Sequence, residues 1–126
     1  MDILIRNCNL ISMAGNRPKY EENIDIYIED DKIAEIGEYI TPRPGAYIID
    51  AEGKICMPGL INTHAHLSMS IFRETLDGYT LQNWLTKKIW PMEDKLTPDD
   101  IYAASILSCL EMVTTGTTTA NDQYFM

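Results

Sequence analysis

Two histidines separated by one residue are the part of this sequence best suited to do chemistry. His64 and His66 are the only histidines among the 126 residues, and they lie in the stretch from Pro58 to Leu67. Side chains two positions apart on a β-strand project from the same face, so both imidazoles would point to one side. Paired imidazoles suit zinc, iron, nickel and copper. The spacing predicts a metal site, with solvated or hydrogen-bonded histidines as the ordinary alternative for an isolated His-x-His.

The residues around the histidines predict a strand that carries the pair at its far end. Pro58-Gly59 interrupts whatever precedes, and Leu60-Ile61 begin a short apolar segment that leads into His64. After the pair, the apolar spacing becomes helical. It predicts a helix that begins at Thr80 or Leu81 and continues to Trp90, where Pro91 should end it.

A second helix and a second strand are predicted next. Thr97 can cap the helix, Pro98 suits its first position, and two acids follow. The helix, through Met112, is apolar almost all round, so we expect neighbours on more than one side. Gly116 is a natural stop, and residues 117–122 predict a strand. Strand, helices and strand form a βαβ unit, whose strands should be parallel with a right-handed crossover.

The N-terminal half is predicted to be a small antiparallel sheet of short strands. Three isoleucines alternate with polar residues from Ile24 to Ile28, which predicts a half-buried strand, and a tight turn follows it. Strands are predicted at residues 2–11, 24–29, 32–36, 47–50 and 54–57.

Composition argues against several classes of partner and location. Nineteen acidic and ten basic residues give a formal charge of −9, which disfavours nucleic acid and anionic membranes as partners. The N-terminus lacks the pattern of a signal peptide, and no window approaches a transmembrane span. Three scattered cysteines fit reduced thiols better than a disulfide framework. We therefore expect a cytoplasmic protein.

Several motifs spread along the chain match one known family together. They are Pro58 to Leu67, Met69, Phe72-Arg73, Trp84-Leu85, Ile89 to Glu93, Leu96 to Pro98, Glu111-Met112 and Gly116 to Thr118. This set resembles the amidohydrolase superfamily, and within it the 5-methylthioadenosine/S-adenosylhomocysteine deaminases and their chlorohydrolase-like relatives. The resemblance implies a mixed α/β fold. Residues 1–57 would form part of an N-terminal β-sandwich, and residues 58–126 the first β-α-β portion of a (β/α)8 TIM-type barrel.

The resemblance also assigns site residues. His64 and His66 match the first two metal ligands, at the C-terminal end of the first barrel strand, with zinc expected and iron or manganese as alternatives. Glu93 matches the glutamate that binds the ribose hydroxyls, a task that suits a carboxylate because it can accept two hydrogen bonds. Apart from the resemblance, a solvated acid is the ordinary interpretation of Glu93. Asp122 is the nearby carboxylate candidate for a further ligand.

The implied reaction is the deamination of a purine nucleoside by metal-activated water, with release of ammonia. A (β/α)8 barrel needs about 250 residues, so we expect an N-terminal fragment that is inactive by itself. Its catalytic acid and base and its remaining ligands would lie beyond residue 126. The expected partner is a small-molecule nucleoside, and homo-oligomer formation is left open. Two alternatives also stay open: another amidohydrolase, such as a triazine-type chlorohydrolase or a guanine or cytosine deaminase, and a small β-rich protein with an incidental or weakly metal-binding His-x-His.

Overall fold

The computed structural model describes residues 1–74 and 78–124, and the chain divides into two compact units, Met1–Pro58 and Gly59–Met126. The fold is mixed α/β. The first unit contains β1 (Ile3–Ile11), β2 (Tyr20–Glu29), β3 (Lys32–Gly37), β4 (Tyr47–Asp50) and β5 (Ile55–Cys56). The second contains β6 (Leu60–Ala65), a 3-10 helix (Leu67–Phe72), α1 (Leu81–Trp84), a π-helical turn (Leu85–Ile89), α2 (Trp90–Glu93), α3 (Pro98–Thr114) and β7 (Thr117–Asp122).

The first unit is a mixed sheet, and the prediction of a purely antiparallel one is wrong. Its strand order is β3-β2-β1-β4, with β5 also paired to β1. The β1–β2 and β2–β3 pairs are antiparallel, but β4 and β5 both run parallel to β1. The reason is the connection after β3, since residues 38–46 take the chain from one edge of the sheet to the far side of β1. Such a crossover, unlike a hairpin, delivers a parallel strand.

Strand β2 is buried on both faces, so the prediction of a half-buried strand is also wrong. Ile26 and the adjacent Tyr27 point to opposite sides, and each belongs to a different apolar cluster. One cluster contains Cys8, Leu10, Ile24, Ile26 and Ala51, and the other contains Leu4, Tyr27 and Ile40. Period-two alternation identifies the face of β2 that carries the isoleucines. It does not reveal that other segments of the chain bury the opposite face.

A β-bulge at Asn7 explains how β1 contributes to both clusters. Asn7 adopts a left-handed conformation with φ of 57°, and the register with β2 shifts between Ile5 and Cys8. An extra residue in one strand reverses the facing of everything after it, so Leu4 and Cys8 lie on opposite sides. The buried Asp25 carboxylate holds the bulge by accepting the Asn7 N–H at 3.0 Å.

The second unit confirms the predicted parallel strand pair. β6 and β7 pair in parallel, and the helices lie between them in the chain. The start of α3 is also as predicted. The Thr97 side chain accepts the Asp100 N–H, and Asp100 in turn accepts the Thr97 N–H, which is a complete capping box. Gly116 follows the helix with φ of 88°, the left-handed conformation that glycine adopts readily.

Pro91 does not end the first helical segment, contrary to the prediction. The segment passes from α1 through the π-helical turn into α2, and Pro91 occupies the first turn of α2. A proline lacks the N–H for the bond to the fourth preceding carbonyl, and its ring clashes with that carbonyl in an ordinary helix. A wider π-helical turn directly precedes the proline and accommodates it. In this turn the Trp90 N–H donates to the Leu85 carbonyl.

Helix α3 has one buried residue, Ala104, although its apolar surface predicted neighbours on several sides. Tyr102, Ile106, Leu110 and Val113 follow one another at helical spacing and are all exposed. None of the helices in the described part of the chain combines the length and apolar character needed to cross a bilayer.

Candidate metal and substrate site

The structure brings the two imidazoles together at the end of β6. His64 lies in the strand and His66 directly follows it. The two Nε2 atoms are 3.1 Å apart, and the ring centroids are 5.0 Å apart with the planes nearly perpendicular. At that separation only one of the two nitrogens can carry a proton directed at the other. At least one of the facing nitrogens therefore directs its lone pair into the space between the two rings.

The spacing of these nitrogens fits a shared metal ion. Zinc binds imidazole nitrogen at about 2.0–2.1 Å with tetrahedral geometry, which places two such nitrogens roughly 3.3 Å apart. The observed 3.1 Å is close to that value. Both side chains are exposed, so an ion can reach them from solvent. Two imidazole nitrogens at this distance could supply two of the ligands of a transition metal.

Hydrogen bonds with the last residue of β7 and the residue after it hold the end of β6 that carries the histidines. The Gln123 N–H donates to the Ala65 carbonyl at 2.8 Å, and Asp122 Oδ1 accepts the Leu67 N–H at 3.1 Å. The backbone on both sides of His66 is thereby held. Asp122 serves here as a backbone anchor. Among the described residues no group of three or more His, Cys, Asp or Glu side chains is placed to hold a metal, so the geometry does not make Asp122 a third ligand.

The 3-10 helix after His66 is tied to α3 by three side-chain contacts. The Ser108 hydroxyl donates to the Leu67 carbonyl at 2.7 Å, and the Ser70 hydroxyl donates to the Ala104 carbonyl at 2.9 Å. Arg73 and Glu111 form a two-pronged ion pair, and hydrogen bonds from the guanidinium lower the pKa of the Glu111 carboxyl. These contacts set the direction in which the chain leaves the histidine pair.

Glu93 and His66 line the same cavity. Its volume is about 190 Å³, and its walls are mainly apolar and aromatic side chains. The lining residues are His66, Met69, Trp84, Leu85, Ile89, Trp90, Glu93, Gln123 and Tyr124. Helical periodicity by itself favours core packing for the two tryptophans, and both instead contribute to this concave surface. An aromatic cavity with one imidazole and one carboxylate suits a flat, partly polar ligand.

Sequence reasoning missed Tyr124, which contacts Glu93 directly. The phenol donates to Glu93 Oε1 at 3.0 Å. Burial raises the pKa of Tyr124, and the carboxylates of Glu93 and Asp122 raise it further, while the neighbouring Ser68 hydroxyl acts in the opposite sense. The signal available in the sequence was its position two residues beyond a predicted strand, where the ends of parallel strands present functional side chains.

A comparison with models of known protein families gives a match to the second unit of the chain. The model of the amidohydrolase family matches residues 55–126, which include both histidines, the whole helical region and β7. The chain belongs to the amidohydrolase family. This match covers more than half of the chain and decides between the family and an unrelated protein with an incidental His-x-His.

Among curated relatives, this amidohydrolase chain is similar to two kinds of adenine-nucleoside deaminase. It is 46% identical over 125 residues to 5-methylthioadenosine/S-adenosylhomocysteine deaminase of Caldanaerobacter subterraneus, covering 99% of the chain and 28% of the relative. It is 44% identical over 124 residues to 5′-deoxyadenosine deaminase of Methanosarcina mazei, covering 98% of the chain and 28% of the relative. The chain thus spans under a third of the length of these relatives.

Solved structures with the same fold include zinc-containing enzymes. An adenosine deaminase from Xanthomonas campestris with bound zinc superposes with a TM-score of 0.87 at 25% identity, over 99% of the chain and 29% of that structure. A mutant of atrazine chlorohydrolase from Arthrobacter aurescens, complexed with zinc and atraton, superposes with a TM-score of 0.82 at 32% identity, over 98% of the chain and 29% of that structure.

Proposed function

We propose that the chain supplies the first metal-binding strand and the ribose-binding helix of a metal-dependent deaminase of adenine nucleosides. In this proposal residues 1–57 are the N-terminal β-sandwich portion, and residues 58–126 begin a (β/α)8 barrel. The observation that carries the proposal is the shared cavity, which has His66 and Glu93 on its walls together with two tryptophans. The names of the two relatives, both adenine-nucleoside deaminases, support the same substrate class.

His64 and His66 would hold the metal, most simply zinc, through their Nε2 atoms. A divalent metal held there would supply an activated water, which deamination at the purine carbon carrying the amino group requires. Water replaces the amino group, and ammonia leaves. The contribution of the described residues in this proposal is to bind the ion and to orient the nucleoside.

Glu93 would accept hydrogen bonds from the ribose hydroxyls, while Trp84 and Trp90 would provide apolar contact for the rest of the nucleoside. Small-molecule sites have volumes of roughly 300 to 1,000 Å³. The cavity of about 190 Å³ is smaller, so these residues form one part of the nucleoside site.

A second candidate function is chlorotriazine hydrolysis, because an atrazine chlorohydrolase has the same fold at 32% identity. The deciding experiment offers 5′-methylthioadenosine, guanine and a chlorotriazine to the complete gene product loaded with zinc. We expect ammonia release from 5′-methylthioadenosine alone, abolished by a chelator and restored by zinc. Chloride release from the triazine, or ammonia release from guanine alone, would overturn the proposal.

A further inference from the structure

A hydrogen bond links the helix that ends at Glu93 to the strand pair that carries the histidines. It runs from the Tyr124 hydroxyl to Glu93 Oε1 at 3.0 Å, between residues 31 positions apart in the sequence. Resting on the nucleoside function proposed above, we propose that Tyr124 is a positioning residue that holds the Glu93 carboxylate for a vicinal diol. It acts through Glu93.

Tyr124 is well anchored for this role. It directly follows Gln123, whose N–H is bonded to the carbonyl of Ala65, the residue between the two histidines. This hydrogen bond therefore holds the backbone next to Tyr124 against the backbone between the two histidines. Glu93, by contrast, is the last residue of the four-residue helix α2. A long side chain at a helix end has several accessible rotamers, and the phenol selects one of them.

The hydrogen bond leaves the carboxylate able to bind a diol. An ionised carboxylate has two oxygens and about four lone-pair sites, of which the phenol uses one. Glu93 Oε2 and the remaining site on Oε1 stay available for two adjacent hydroxyl groups. Because the rotamer is already fixed, a bound diol does not bear the entropic cost of ordering this side chain.

The surroundings of Tyr124 keep its hydroxyl protonated, so that it remains the donor in the hydrogen bond to Glu93. Burial and the Glu93 carboxylate raise the pKa of the phenol, so it stays protonated at neutral pH. The Ser68 side chain beside it is fully buried, which limits competition from solvent at this end of the cavity.

The test measures a specificity ratio in the complete gene product loaded with zinc. The ratio is kcat/KM for adenosine divided by kcat/KM for 2′,3′-dideoxyadenosine. We expect Tyr124→Phe to lower it on the order of tenfold, because a hydrogen bond to a charged group is lost. The loss should fall on adenosine, mainly in KM, and leave the dideoxynucleoside unaffected. Tyr102→Phe, the same change on the exposed face of α3, is the matched control and should leave the ratio unchanged.

A double-mutant cycle separates positioning from simple structural damage. In a Glu93→Gln background the Tyr124→Phe change should no longer alter the ratio, since both act on one hydrogen-bonded unit. Suppose that the parent protein prefers adenosine. If Tyr124→Phe leaves the ratio unchanged, including by lowering kcat/KM equally for both substrates, the positioning role is wrong while the proposed function stands. If the parent protein shows no preference for the diol, the role of Glu93 fails, and the positioning role fails with it.

Discussion

At the scale of single residues, the separation of His64 from His66 is the central quantity. Alternation along a strand places both side chains on one face, and the Nε2 atoms meet at 3.1 Å. Imidazole nitrogens this close, with solvent access, have the spacing that two ligands of one transition metal need. The metal role of these residues, and the diol role of Glu93, are proposals that substitutions can test.

Loss of either imidazole should remove zinc binding from the site. We expect His64→Ala and His66→Ala each to weaken zinc binding by at least about 100-fold, because even outer partners of a metal ligand are worth 10- to 100-fold. Isothermal calorimetry measures the affinity directly. Thr63→Ala is the control, since its exposed side chain belongs to the alternate face of the same strand. Equal zinc affinity in the parent protein and all three variants would contradict a metal role.

At the scale of elements, the site depends on how closely β6 and β7 approach. A Cβ atom at Gly59 would lie 2.1 Å from Oγ1 and 2.7 Å from Cβ of Thr118 on β7. No side chain fits there unless the strands move apart. The Pro58-Gly59 pair predicted a break in the chain, and the structure shows a second reason for the glycine, which is close packing at the start of the histidine strand.

Gly59→Ala should therefore destabilise the second unit and disturb the histidines. We expect a loss of about 1–3 kcal/mol in the free energy of unfolding, the usual cost of overpacking, together with weaker zinc binding. Thermal unfolding and calorimetry measure the two effects. Gly15→Ala is the control, because a Cβ atom added there would meet only open space, with nothing within 4 Å. An unchanged melting temperature for Gly59→Ala would rule out the close approach.

The capping box of α3 gives a second prediction at this scale. Thr97→Ala should cost about 1 kcal/mol, because the Asp100 N–H loses its acceptor. Thermal melting measures it. Thr114→Ala, at the other end of the same helix, is the control and should cost less, since it removes only an exposed hydrogen bond to the Glu111 carbonyl while alanine is the better helix former.

The same cap should make the effect of Thr97→Ala depend on pH. Hydrogen bonds from the Thr97 hydroxyl and N–H lower the pKa of Asp100. A carboxyl with a lowered pKa in the folded state stabilises the protein above its ordinary pKa, and this stabilisation is lost as the pH falls through the lower folded value. The parent and Thr97→Ala proteins should therefore differ most near neutral pH and converge in acid. A difference that grows in acid would contradict the cap.

At the scale of the whole molecule, exposed apolar surface is the dominant feature. Leu110 and Val113 on α3 are 60% and 65% exposed, and Ile61 on β6 is 68% exposed. Large exposed apolar side chains, where they lie together, mark an interaction site or an aggregation liability. The relatives are more than three times as long as this chain.

We expect the isolated chain to bind an apolar fluorescent dye and to self-associate. The double variant Leu110→Lys with Val113→Lys should reduce both dye fluorescence and the sedimentation coefficient. Thr114→Lys on the same helix adds a positive charge at a polar position and is the control. If the double variant binds the dye as strongly as the parent chain, the apolar surface that binds the dye lies elsewhere.

Much of the architecture follows from local residue patterns. The hairpin of β2 and β3, the capped start of α3 and its stop at Gly116 depend on turn chemistry, caps and periodicity, which act within a few residues. The parallel β6–β7 pair is a long-range contact that follows from the order strand, helices, strand. The errors lie where distant segments meet. The Asn7 bulge needs the Asp25 carboxylate, and β4 is parallel because of a crossover.

By itself, the sequence determined the identity and alternation of the histidine pair and, through its motifs, the family. Only the tertiary structure decided that His66 and Glu93 line one cavity, that Pro91 continues a helix through a π turn, and that Tyr124 contacts Glu93. The physical reason is separation along the chain. Spacing within a strand is set by backbone geometry, whereas contacts over 27 to 31 residues depend on how packed elements are oriented.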